Sequence, residues 1–168
     1  MEKIIKEYEV YTFDELNEDI KEKLIEEEIE RQYEDYIELY LYEDMYLEAE
    51  RLLEKYFGKK AELDNIYYSL SYCQGDGAMM EFTTEYYGKY VKVRQYGHYY
   101  HEYSFDIDSY ELTDKQYEQF KEKTIKMNKE FAKYGWKMVD IDTHKDYLKE
   151  YAMERLSENE YLENGEIF

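Results

Sequence analysis

Apolar positions along the chain change period twice, from helical spacing to alternation and back. Glu7 to Phe13 (EYEVYTF) alternates and is rich in β-forming residues, which predicts a short opening strand. Asp14 suits an N-cap, and helical spacing follows through Leu16, Ile20, Leu24, Ile25, Ile29 and Tyr33, then Tyr36, Ile37, Tyr40 and Leu41. Leu52, Leu53 and Tyr56 close this stretch, with Gly58 as its terminating glycine. It is too long for an ordinary helix, so a helical hairpin is expected, broken near Gln32–Asp35 or Glu43–Asp44.

Alternation takes over at Leu63–Cys73, with Ile66, Tyr68, Leu70 and Tyr72 on one side and Tyr67, Ser69, Ser71 and Cys73 on the other. Gln74-Gly75-Asp76-Gly77 is a turn sequence, and Ala78–Thr84 returns as a second strand. Tyr90–Tyr96 and Tyr99–Ile107 predict a further hairpin around Gly97-His98. Helical spacing resumes after a Thr113/Gln116 capping box, through Tyr117, Phe120, Ile125, Met127, Phe131 and Ala132. Gly135 is expected to end that helix, with a short strand over Trp136–Ile141. A last helix starts at Thr143 with Asp146, with Tyr147, Leu148, Tyr151, Ala152 and Leu156 as its apolar side, before a turn and an extended tail.

The fold class expected is α+β: an antiparallel β-meander of about four strands packed against N-terminal and C-terminal helices. One domain over 1–168 is expected, with an acidic helical part (1–58), a sheet (59–112) and C-terminal helices with a tail (113–168).

Charge narrows the function classes. The formal net charge is −20, from 42 Asp and Glu against 22 Lys and Arg. Residues 1–56 hold 20 acids and 7 bases, so the first third carries most of the imbalance. Such a chain repels nucleic acid and anionic lipid and attracts basic surfaces. High charge alone also fits disorder, but 19% aromatic content argues against it. The 24 tyrosines exceed what a small core takes, so some are expected on the surface, where Tyr suits contact patches. A bias toward Lys, Glu, Tyr, Ile and Asn codons is the competing explanation. The start (Met1-Glu2-Lys3-Ile4-Ile5-Lys6) shows no signal-peptide pattern, no apolar run is long enough to span a bilayer, and Cys73 stands alone. A cytoplasmic protein without a membrane partner is expected.

Catalytic signals are sparse. The Gly75/Gly77 turn has no adjacent Lys for phosphate. Cys73 as nucleophile would need His98 or His101 brought beside it. A metal set of His98, His101, Glu102, Asp106 and Asp108 is split by strand alternation, and Asp140, Asp142 and His144 fit a helix N-terminus better. No cofactor or metal is implied. Tyr86, Tyr87, Tyr90, Tyr96, Tyr99, Tyr100 and Tyr103 have only Lys89, Lys92 and Arg94 beside them, which suits a protein contact better than base stacking.

Four segments resemble a family of small bacteriophage- and prophage-encoded proteins: Tyr11-Thr12-Phe13-Asp14-Glu15-Leu16, Lys21–Ile29, Tyr68–Ala78 with its Q-G-D-G-A turn, and the tail Asn159–Phe168. The tail has Leu162 where the family pattern has Phe. The resemblance implies a mobile-element origin and the anti-CRISPR or anti-defence class, and it assigns no residue a role. Together with the charge, it leads to an expected inhibitor that binds the basic nucleic-acid groove of a bacterial CRISPR effector or nuclease in the host cytoplasm. The expected contacts are Glu26, Glu27, Glu30, Glu34, Asp35 and Glu38, with Tyr33 and Tyr36 as anchors. An antitoxin-like or housekeeping binding module and a small enzyme using Cys73 or His98/His101 are the alternatives. A homodimer is also compatible with the aromatic strands.

Overall fold

The computed structural model of the protein describes residues 1–71 and 76–168. The expected turn at Gln74-Gly75, together with Tyr72 and Cys73, lies outside the described residues. The elements in chain order are β1 (Tyr11–Thr12), a single 3-10 turn (Phe13–Glu15), α1 (Glu18–Leu39), α2 (Leu41–Phe57), β2 (Glu62–Ser69), β3 (Gly77–Tyr86), β4 (Lys89–Gln95), β5 (Phe105–Asp108), α3 (Asp114–Met138), α4 (Ile141–Leu156) and β6 (Glu160–Tyr161). The fold is α+β, and the four-stranded antiparallel meander runs β2-β3-β4-β5. The chain divides into two compact units, residues 1–38 with 141–168 and residues 39–140.

In the 39–140 unit, α2 and α3 pack on one face of the meander. Cross-strand partners share a face, so Ile66 and Met80, Phe82 and Val93, and Thr84 and Val91 line up beneath the helices. Phe57, Phe82 and Phe120 meet there with ring centroids 4.9–6.0 Å apart. The other face is mostly polar. Lys92 stands opposite Asp108, and Arg94 opposite Asp106.

The β3–β4 ladder ends at Phe82–Val93, leaving the N-terminal half of β3 without β4 as a neighbour. Asn128, fully buried on α3, takes over part of that role. Its Oδ1 accepts from the Met80 N–H at 3.3 Å, and its Nδ2 donates to the Glu102 carbonyl at 3.1 Å. The loop after β4 thereby folds against β3. Close approach there also requires Gly77 (φ +151°), where an added Cβ would come within 2.4 Å of the Tyr100 carbonyl oxygen.

In the other unit, β1 pairs antiparallel with β6. Phe13, Leu16, Leu156 and Tyr161 form one cluster, and Ile29, Leu148 and Ala152 a second. Asn17 starts α1: its carbonyl accepts from Ile20 and Lys21, and its Oδ1 from the Asp19 N–H.

Several expectations need correction. The opening strand is only Tyr11–Thr12, because only those residues find a partner strand, and Met1–Val10 are exposed. Helix α1 starts after Asn17 rather than at Asp14, since Glu15 folds back to accept from the Thr12 N–H and hydroxyl. The helical stretch breaks at Tyr40 alone. Glu43 and Asp44 are instead the first turn of α2, where carboxylates complement the helix dipole. The second hairpin is not tight, because β5 begins only at Phe105. Gly135 does not end α3; it lies inside it, where Leu70 and Met45 occupy the space a Cβ would need. Trp136–Met138 are therefore helical, not a strand, and α4 begins at Ile141 rather than Thr143. The tail is not merely extended, since it supplies β6. The Thr113/Gln116 capping box and the Gly58 helix end are present.

Asn128→Ala leaves the Met80 N–H buried without its acceptor. The expected loss is about 1–3 kcal/mol in a urea melt.

Candidate partner-binding face

Every fourth residue of α1 from its first to its twenty-first position is glutamate: Glu18, Glu22, Glu26, Glu30, Glu34 and Glu38. Residues four apart are neighbours on a helix surface, so these side chains form one ridge that winds round the helix by about 40° per step. All six are exposed. The row's opposite side is apolar. Ile29 is buried, and Leu24, Ile25 and Tyr33 pack into the clusters below it.

The expected contact residues divide by environment. Glu26, Glu30, Glu34 and Glu38 belong to the row and have no ion pair among the described residues. Glu27 lies beside it, 3.9 Å from Lys23. Asp35 sits off the row and accepts from Arg31 at 3.0 Å. Tyr33 and Tyr36 are half-buried rather than fully displayed, with ring centroids 6.1 and 4.6 Å from the His144 imidazole. His144 is itself buried and hydrogen-bonded through Nδ1 to the Tyr147 hydroxyl.

Two residues that matter here were missed by sequence reasoning. His144 precedes Leu148, Ala152 and Leu156 at intervals of four, so its burial was signalled by the same periodicity that marked those residues. Glu28, beside Glu26 and Glu27 in sequence, is distinct from them. It accepts from Arg31 and from Gln32 (3.1 Å), and Arg155 of α4 lies 3.3 Å away. It thus ties α1 to α4, while the glutamate row faces outward.

Ten acids lie on α1 against three bases. At 1.5 Å rise per residue the helix is about 33 Å long, so carboxylates recur about every 3.3 Å along its axis. One strand of B-DNA places a phosphate about every 3.4 Å. The helix as a whole thus has about the linear density of acidic groups of a nucleic-acid strand, less the charge cancelled by Lys21, Lys23 and Arg31, while the outward row alone recurs about every 6 Å.

Elsewhere the chemistry is thin. His98 and His101 fall in the loop before β5, where the His101 ring packs between Tyr99 and Tyr103 at 5.5 and 5.3 Å. No group of three or more His, Cys, Asp or Glu side chains placed to hold a metal occurs among the described residues. Tyr87, Tyr90, Tyr96, Tyr99 and Tyr103 are exposed, whereas Tyr86 packs edge-on against Phe120 and Tyr100 against Tyr67. Among the described residues no helix is long and apolar enough to cross a membrane. Comparison with known family models, with curated proteins and with solved structures gives no match.

The Arg31 hydrogen bond holds the Glu28 carboxyl below the usual carboxylate value near 4.5, against the upward push of partial burial. A carboxyl whose folded pKa is depressed contributes stability above its unfolded pKa and loses it as pH falls through the folded value. Acidification below about pH 4.5 should therefore weaken the α1–α4 contact. Glu28→Gln should cost about 1 kcal/mol at pH 7 and flatten that part of the pH–stability curve, measured by thermal melts from pH 7 to pH 3.

Proposed function

We propose that the protein is a non-catalytic, phage-type inhibitor that acts in the bacterial cytoplasm. On this reading α1 imitates a nucleic-acid strand and occupies the basic groove of a defence effector such as a CRISPR nuclease. The observation that carries the proposal is the unbroken glutamate row, with Glu26, Glu30 and Glu34 at its centre. Like charges four residues apart destabilise a helix by about 0.2–0.5 kcal/mol per pair. A row retained against that penalty fits a surface used for binding better than one serving solubility, for which interspersed charges suffice. The resemblance of four segments to small phage proteins points to the same class.

This reading makes stability and binding move in opposite directions. Glu30→Lys replaces two repulsive pairs with attractive ones, so it should raise the unfolding free energy by about 1–2 kcal/mol. Combined with Glu26→Lys and Glu34→Lys, it should weaken displacement of labelled nucleic acid from a bacterial effector nuclease by on the order of tenfold or more. Displacement by the native chain should also fall between 50 mM and 500 mM salt, as screening shortens the range of these charges. Displacement indifferent to both the reversals and the salt would overturn the mimicry.

A further inference from the structure

The acidic surface has a counterpart of opposite sign on the same chain. Helix α3 holds seven lysines against four acids, although the protein as a whole is strongly acidic. Four of the seven, Lys126, Lys129, Lys133 and Lys137, lie in its C-terminal half, and all four are exposed. Phe120, Thr124, Met127, Phe131 and Gly135 form the buried side of α3, so these lysines are displayed away from the core. Among the acids around them, Glu130 is engaged by Lys55 at 3.1 Å, and Asp44 and Glu48 of α2 lie near Tyr134. Lys126, Lys129 and Lys133 have no ion pair among the described residues. Beside them runs a groove of about 520 Å³, lined by Lys55, Glu130, Lys133, Tyr134 and Lys137.

Lys129, Lys133 and Lys137 repeat the interval of Glu26, Glu30 and Glu34. Each row advances by about 6 Å per rung, so the two are commensurate over three rungs, about 12 Å from first to last. Rows four residues apart are also the ridges that most often interlock when two helices cross. We propose that the lysine row of α3 is a docking surface for the glutamate row of α1 in a second copy of this chain, giving a salt-sensitive, heterologous self-association. The net charge of −20 opposes any such encounter at long range. At physiological ionic strength the Debye length is about 8 Å, so repulsion from the rest of the surface is screened while rows in contact are not. A nucleic-acid phosphate backbone would suit lysines too, but the second copy brings carboxylates at the same four-residue interval as the lysines.

The self-association occupies the same glutamates as the proposed effector contact, so a bound effector groove and a second copy exclude each other. It does not depend on the identity of that effector, and its test uses the full chain alone. In sedimentation velocity at 50 mM salt, the native chain should run as a dimer or larger species and become monomeric at 500 mM. Lys129→Glu/Lys133→Glu/Lys137→Glu and Glu26→Lys/Glu30→Lys/Glu34→Lys should each be monomeric at 50 mM. An equimolar mixture of the two reversed variants should associate again, because each supplies the complement the other lost. Circular dichroism and a melt of each variant check that it is folded, and the native salt dependence reads the proposal even if one variant is not. A native chain that is monomeric at 50 mM across the concentration range overturns the inference. Association that survives either reversal, or a mixture of folded variants that stays monomeric, also overturns it. Retention of the native chain, but not the lysine-reversed variant, by a double-stranded oligonucleotide with no self-association would assign the row to phosphate instead.

Discussion

Ten carboxylates on one 22-residue helix repel each other, and burial on the opposite side of that helix is what keeps it folded. The five like-charged intervals of the glutamate row together cost about 1–2.5 kcal/mol at the usual magnitude per pair. Fully burying one Leu or Ile contributes about 1.5–3 kcal/mol. Ile29, Leu148, Leu156, Phe13 and Leu16 are all buried in that unit, so the apolar side prevails comfortably. Glu28 and Arg155 add a polar tie between the two helices. The outward row can thus be as acidic as it is without unfolding the helix.

The 39–140 unit solves a different problem. A meander with one mostly polar face needs cover for the other, and α2 and α3 supply it. Where β4 ends short of the start of β3, side chains stand in for strand: Asn128 for Met80, and Glu81 Oε2, which accepts from the Gln95 N–H at 2.8 Å. Both substitutions keep backbone donors satisfied that the ladder leaves unpaired. The same helix that seals the core on one side displays lysines on the other, which places the protein's two opposite charge rows on different compact units.

Sequence periodicity made the meander legible, because Ile66, Phe82, Val91 and Val93 alternate as half-buried strands do. It also located four helical stretches. Boundaries were harder, for reasons that are tertiary. Gly135 resembles a helix stop until Leu70 and Met45 are seen to claim the space beside it. Glu7–Phe13 has strand composition, but pairing exists only opposite Glu160 and Tyr161. At the site, the acidic density was plain from composition, while the interval of four that aligns Glu18 through Glu38 was obscured by the consecutive run Glu26-Glu27-Glu28. Tyr33 and Tyr36 are legible as aromatic anchors but not as neighbours of His144, because that contact joins residues more than a hundred positions apart.

That separation has a consequence for how the molecule is made. The unit holding α1 draws on residues 1–38 and 141–168, with the whole of the other unit inserted between them. Ribosomal synthesis exposes α1 long before α4 and β6 exist to cover Ile29 and Phe13. During that interval the helix has its carboxylates but not its apolar partners, so it is held only by local propensity. The contiguous unit can fold first, and the acidic unit closes only when the C-terminal segment emerges.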